Sequence, residues 1–361
     1  MIASKLKALS LGNLIACVPI IQGGMGVRIS LSGLSAAVAS EGGIGVIATA
    51  GIGMAEPDYF KDFLGANLRA LRKEIRNARE ITRGVLGVNI MVALSNYADF
   101  VRAAIEEGID VIFSGAGLPM NLPQFRKVDT DTKLVPIVSS GRAAVLLCKR
   151  WTERYAYLPD AIVVEGPLAG GHLGFKLEQI SDPAFALERL VPEVVEALRP
   201  FAESAGKPIP VIAAGGIYTG ADILRFMELG AAGVQMATRF VATNECDASA
   251  EFKQAYIDSK QENLTIIKSP VGMPGRAIRN PFIDAVNRGE KMPYQCPYHC
   301  IVTCDYQNSP YCIALALANA QKGNFKHGFA FAGANAYRLT KTVSVKELME
   351  SLIEEYDIAA A

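Results

Sequence analysis

Histidine is scarce in this chain, with three among 361 residues, and net charge is absent, because 36 Lys and Arg face 36 Asp and Glu. That balance removes the long-range field that would draw in nucleic acid or an anionic membrane, and leaves only local anion sites. No apolar run reaches the roughly 18 residues of a membrane span. The opening stretch, MIASKLKALSLGNLIACVPIIQGG, puts lysines ahead of apolar residues. Gly12, Asn13 and Pro19 interrupt it and no A-x-A-like site closes it, so it does not read as a signal peptide. A soluble, cytoplasmic protein is expected. Seven cysteines, an odd number, argue against a disulfide framework. Solenoid repeats and low-complexity segments are also missing.

What is present is an alternation. Short β-branched runs lie at 18–24, 43–49, 86–92, 110–117, 133–140, 161–167, 210–216 and 232–240. Amphipathic segments such as LSGLSAAVASEG, YADFVRAAIEEG, GRAAVLLCKRW and GADILRFMELGA separate them. Near-continuous apolar strands between helices imply parallel strands covered on their outer face. Eight such units predict an α/β fold, a (β/α)8 TIM barrel, over residues 1–240. Residues 241–312 lose the alternation and predict a smaller appended subdomain over the barrel mouth; 313–361 predict helices packing back on the barrel. The last of these, SVKELMESLIEEY, opens with Ser344 and Glu347 spaced as a capping box.

Most of the runs end in small or polar residues, among them Gly23, Gly24, Asn89, Glu165, Gly215, Gly216 and Thr238. In a barrel these ends share the face that carries chemistry. The run through Gly215 and Gly216 leads by Thr219, a candidate N-cap, into a helix, and the next run ends at Ala237 and Thr238. Small residues on the last two strands let backbone amides approach a phosphate. The rival GGIGVIATAGIG is discounted as a dinucleotide loop, because its glycines at 42–45 open a strand instead of following one. His172 sits in EGPLAGGHLGF, where Gly170 and Gly171 remove bulk beside it. The vacancy suits a flat cofactor, and an imidazole there can exchange a proton at physiological pH. His299 and His327 read as structural or surface residues.

Five motifs in order, PIIQGGM, GVNIM, EGPLAGGHLG, AAGGI and VQMATRF, resemble those of the nitronate monooxygenase (2-nitropropane dioxygenase) family, which includes the flavin-dependent enoyl-acyl-carrier-protein reductase II. The resemblance covers residues 15 to about 285 and implies a barrel holding FMN non-covalently. It places Gln22, Gly23, Gly24 and Met25 along the isoalloxazine ring, Asn89 in hydrogen bond to it, and Glu165, Gly170 and Gly171 beside it. Gly215 and Gly216, with Gln235, Met236, Ala237 and Thr238, would hold the phosphate, and His172 matches the active-site histidine. Ala237 departs from the family's usual glycine, bringing a methyl group near that phosphate.

A second departure is CPYHCIVTCDYQNSPYC, in which Cys296, Cys300, Cys304 and Cys312 match neither zinc-ribbon nor ferredoxin spacing. Cys296, Cys300 and Cys304 would share one face if the segment were helical. Free thiols are favoured over a metal or iron–sulfur site, and no metal ligand set is assigned.

Two activities follow from the resemblance: oxidation of a nitronate or nitroalkane with O2, and reduction of an enoyl thioester, on acyl carrier protein or free, with NAD(P)H loading the flavin. Arg276 and Arg279 are candidate contacts for a phosphopantetheine or nucleotide phosphate. A non-flavin isomerase or synthase barrel would usually show a Lys or an acid pair at the strand ends, where only Glu165 stands. A non-catalytic flavin-binding module is the remaining alternative. The expected partner is a small molecule, with no nucleic acid and no membrane; a homodimer is left open.

Overall fold

The expected alternation closes on itself. The computed structural model describes residues 4–127, 130–292, 294–296 and 298–361. Its eight parallel strands are β1 (Ile20–Gln22), β2 (Ile44–Ala48), β3 (Val85–Met91), β4 (Val111–Gly115), β5 (Lys133–Val138), β6 (Ile162–Glu165), β7 (Val211–Ala214) and β8 (Gly233–Met236), with β8 pairing back onto β1. The last strand stops at Met236, short of the expected 240, and Thr238–Val241 forms a helical turn instead. Ala237, at φ −124° and ψ −52°, ends the extended backbone there.

Alternate strand residues point into the barrel and pack as one cluster that includes Ile21, Val46, Phe113, Val163 and Ile212. An N-terminal hairpin, Leu9–Leu11 with Leu14–Ala16, closes the end of the barrel where the strands begin, burying Leu9, Leu11 and Ala16 against that cluster. The opposite faces of the strands meet the helices in a second, larger core. Helix ends are set by local chemistry. Thr219 and Asp222 form a capping box at helix Gly220–Glu228, and Ser344 and Glu347 another at helix Val345–Ala359. The latter packs on Gly220–Glu228 so closely that a side chain at Gly220 would meet the Tyr356 backbone at 2.2 Å.

The segment after β8 covers the C-terminal mouth. Its hairpin, Leu264–Lys268 with Pro274–Ile278, adds the two-residue strand Gly171–His172 as a third member. Helix Ile313–Gln321, placed by the sequence among the helices packing back on the barrel, belongs with this cap. Ile313, Ala314 and Leu317 face the mouth, and Ser249 N–H donates to the Gln321 carbonyl at 3.0 Å. Among the described residues no helix is long and apolar enough to cross a membrane.

Candidate active site

Barrel mouth and cap enclose a cavity of about 300 Å3, within the range of small-molecule and cofactor sites. The β1 end delivers Gly23, Gly24 and Met25 to it, β3 delivers Asn89, β6 delivers Glu165, β7 leads to Gly215 and Gly216, and β8 brings Gln235 and Met236 followed by Ala237 and Thr238. Gly170, Gly171 and His172 come from the loop after β6. Thirteen of the expected positions besides His172 therefore share one wall. Gln22 does not line the cavity. It is fully buried beneath, its Nε2 donating to the Gly23 carbonyl (2.6 Å) and Ser30 Oγ (2.9 Å) while its Oε1 accepts from Val46 N–H (3.0 Å). A polar side chain inside a barrel must satisfy itself on the protein, and Gln22 does so by tying β1 to β2.

The glycines have distinct uses. Gly24 lets β1 approach β3, since a Cβ there would lie 2.5 Å from that of Asn89. Gly215 and Gly216 hold φ of +94° and +91°, which L side chains rarely adopt. Asn335 Nδ2 donates to the Gly216 carbonyl at 2.6 Å, fixing that peptide. Gly333 packs on Thr238, whose Oγ1 would stand 2.6 Å from an added Cβ. The methyl group of Ala237 lies 3.4 Å from where a Cβ on Gly23 would be.

His172 is held from two sides. Its backbone pairs with Gly275, and its Nε2 shares a proton with the buried Ser269 Oγ at 2.7 Å. The Phe331 ring meets it edge-on with centroids 4.9 Å apart. Burial lowers its pKa to about 4, so the imidazole is neutral at pH 7. Burial also raises Glu165 to about 7, keeping about half of that carboxyl protonated at neutral pH. Among the described residues no Lys or Arg lines the cavity. Its interior is thus nearly uncharged, and its wall away from the glycines is apolar, built from Phe100, Leu94, Ile301, Leu317 and the Tyr59–Phe63 pair.

Arg276 and Arg279 turn away from the role considered for them. The Arg276 guanidinium donates to the carbonyls of Pro167 (2.7 Å) and Ala169 (3.2 Å), clamping the loop that leads to His172. Arg279 pairs with Asp284 at 2.7 Å on the surface. His299 and His327 stay outside the cavity. Ser269 and Phe331 have no sequence signal, because the first is 97 residues from the histidine it holds and neither belongs to a pattern. Asn96 was also missed. It is 5 % exposed, both polar atoms of its amide lack any hydrogen-bond partner, and it lines the cavity.

The nitronate monooxygenase family model matches residues 10–355. The chain belongs to the nitronate monooxygenase family. An octahydroindene-carboxyl-CoA dehydrogenase from Mycobacterium tuberculosis is 28% identical over 273 residues, which is 76% of this chain and 66% of that protein. A probable nitronate monooxygenase from Staphylococcus saprophyticus is 28% identical over 80% of this chain and 74% of its own length. FabK from Thermotoga maritima superposes with a TM-score of 0.74 at 27% identity, covering 100% of this chain and 98% of that one. Like its family, this chain is an oxidoreductase, and the family's members are flavoproteins. The site residues fit a flavin. Gly171, at φ +78°, has no protein atom within 4 Å of where its Cβ would stand, so the wall beside His172 is open to a flat ring. Among the described residues, the amides of Gly215 and Gly216 find no acceptor within the protein and are free to meet a phosphate.

Proposed function

We propose that the chain binds FMN and oxidises nitroalkanes or their nitronates, with His172 at the reacting carbon. FMN would lie with its ring against Gly23, Gly24, Met25, Asn89, Glu165, Gly170 and Gly171. Its phosphate would lie on Gly215 and Gly216 and the Gln235–Thr238 stretch, with Met236 and Ala237 between. When bound, the flavin supplies the electron sink, and O2 returns it to the oxidised state.

The observation that carries the reading is a neutral, two-point-held imidazole in a cavity that, among the described residues, no Lys or Arg lines. A neutral base that takes the α-proton of a neutral nitroalkane creates imidazolium and nitronate together. The pair carries no net charge, so no Lys or Arg is needed to balance it. With Nε2–H donated to Ser269 Oγ, which fixes the ring's orientation, Nδ1 would be the nitrogen that takes the proton, and the protonated fraction of Glu165 avoids placing a second anion beside the nitronate. With substrate bound, apolar Phe331, Ile301 and Leu317 of the cap would shield the reacting carbon from water.

A second reading, NAD(P)H-dependent reduction of an enoyl thioester, draws support from the long apolar wall of Leu94, Phe100, Ile301 and Leu317, which suits an acyl chain better than a small nitronate. Its partner would be a thioester carried on acyl carrier protein or on coenzyme A.

Purified protein should absorb near 450 nm and release FMN on denaturation; colourless protein that cannot be reconstituted with FMN refutes both readings. Anaerobic mixing separates them. Bleaching by 2-nitropropane or its nitronate without NAD(P)H supports the first reading, whereas bleaching by NAD(P)H followed by reoxidation with an enoyl thioester supports the second.

A further inference from the structure

The cysteine-rich segment is outside both readings above. Between helices Pro281–Asn287 and Ile313–Gln321, the described residues carry neither helix nor strand beyond one isolated bridge, Leu94 to Ile301. Cys296, Cys300 and Cys304 are therefore not aligned by a helix, as their spacing would allow. An irregular stretch this much longer than about 15 residues is uncommon inside a compact fold unless something ties it together. Its outer contacts gather around residues 298–302, where Tyr298 OH donates to the Tyr59 carbonyl at 3.1 Å and Val302 N–H to the Ala93 carbonyl at 2.8 Å. Tyr298 stacks on Phe63 at 4.6 Å, and the Cys300 carbonyl accepts from Ser95 N–H at 3.1 Å.

The fold instead gathers the four thiols. Cys296, Cys300, Cys304 and Cys312 line one small cavity, walled otherwise by rings such as Tyr294 and Tyr306 and by apolar Ile301 and Ile313. All four are free, with no disulfide among them. Cys312 is the N-cap residue of helix Ile313–Gln321. His299 also lines this cavity, its Nε2 hydrogen-bonded to the Cys304 carbonyl at 3.2 Å.

We propose that these four cysteines are the ligands of an iron–sulfur cluster, most simply a four-iron, four-sulfur core. A single zinc ion would draw four sulfurs to about 2.3 Å from one point. Among the described residues no His, Cys, Asp or Glu group closes in that way, and the thiols ring a cavity instead. A cluster holds its thiolates on the outside of a larger core, which matches that ring. Cys300, Ile301 and Ile313 line both this cavity and the large one, so the cluster would share a wall with the flavin site while fastening the cap segment to it.

The test is iron and acid-labile sulfide analysis of anaerobically purified full-length protein, with FMN quantified separately so that this proposal and the flavin reading can fail independently. About four iron and four sulfide per chain are expected, with a low-temperature EPR signal after dithionite reduction. Cys304→Ser and Cys312→Ser should each cut iron at least fourfold while FMN content holds, and Cys17→Ser, at an exposed thiol elsewhere, should leave iron unchanged. Less than one iron per chain after anaerobic reconstitution with Fe2+ and sulfide overturns the proposal. So does stoichiometric zinc, or full iron retention in both cysteine variants. If those variants fail to fold, the wild-type metal and sulfide content alone decides.

Discussion

Glu165 offers the most direct test of the cavity's electrostatics. Burial moves its carboxyl from an ordinary 4.5 to about 7, so the folded protein keeps a proton that the unfolded chain gives up across that window. Stability contributed by this group is present below pH 4.5 and is lost as pH rises through 7. The difference corresponds to about 3 kcal/mol. Part of the side chain faces the cavity, where water screens it, which brings the expected effect to about 2 kcal/mol. Glu165→Gln keeps the shape and removes the ionisation. Urea denaturation of flavin-free wild type and variant should coincide near pH 4 and separate at alkaline pH, the variant being about 2 kcal/mol more stable by about pH 8.5. A gap that stays constant with pH would mean that burial does not penalise the charge. A variant that becomes less stable at high pH would reveal a cationic partner and refute the uncharged cavity.

His172→Gln should show the mirror image, because its pKa is lowered to about 4. Relative to wild type the variant gains stability as pH falls below 6.5 and gains none at pH 8, while turnover drops about 100-fold or more with the flavin spectrum retained. Retained turnover would remove the histidine from the chemistry. Gly216→Ala, forced to φ +91° with its methyl 2.9 Å from Leu168 Cβ, should cost about 1–3 kcal/mol and lose FMN on gel filtration; full retention would place the phosphate elsewhere. Asn96→Leu replaces an unpartnered buried amide and should stabilise the protein by about 1 kcal/mol or more while raising KM. Lower stability with KM unchanged would show an unseen structural partner for the amide. Gln22→Leu breaks three hydrogen bonds inside the barrel and should destabilise by about 2–3 kcal/mol in thermal denaturation, with the ring environment of bound FMN unaltered.

The strands were legible because parallel strands buried on both faces must be apolar throughout, and their ends were legible because a ligand-facing mouth needs small and polar residues there. Gly215, Gly216, Glu165 and His172 could be grouped by that argument before any coordinate was known. Gln22 shows its limit. A strand's last residue points either into the cavity or into the barrel, and a one-residue difference in where β1 ends decides which. The end of β8 was overrun for a related reason: Ala237, Thr238 and Arg239 suit a strand as well as the helical turn they form. The cap was illegible because its meaning lies in pairings between distant segments. Neither the hydrogen bond between Ser269 and His172 nor the Arg276 clamp on Pro167 and Ala169 leaves a periodicity or a motif.

Those distant pairings divide the labour of the site. Barrel strand ends supply nearly all of the glycine-lined wall proposed for the flavin, and their spacing is fixed by a closed sheet that leaves little freedom to vary. Orientation of the His172 imidazole comes from elsewhere. Gly171–His172 is only two residues long and has no strand neighbour except the cap's Pro274–Ile278, while Ser269 sits in the turn of that same hairpin. The cap also provides Phe331, Ile301 and Leu317, which bound the space a substrate would fill. Changes in the cap can therefore redirect substrate choice and proton transfer while the flavin grip is preserved. This is a physical reason why one barrel can be similar both to nitronate-oxidising relatives and to enzymes that work on thioesters.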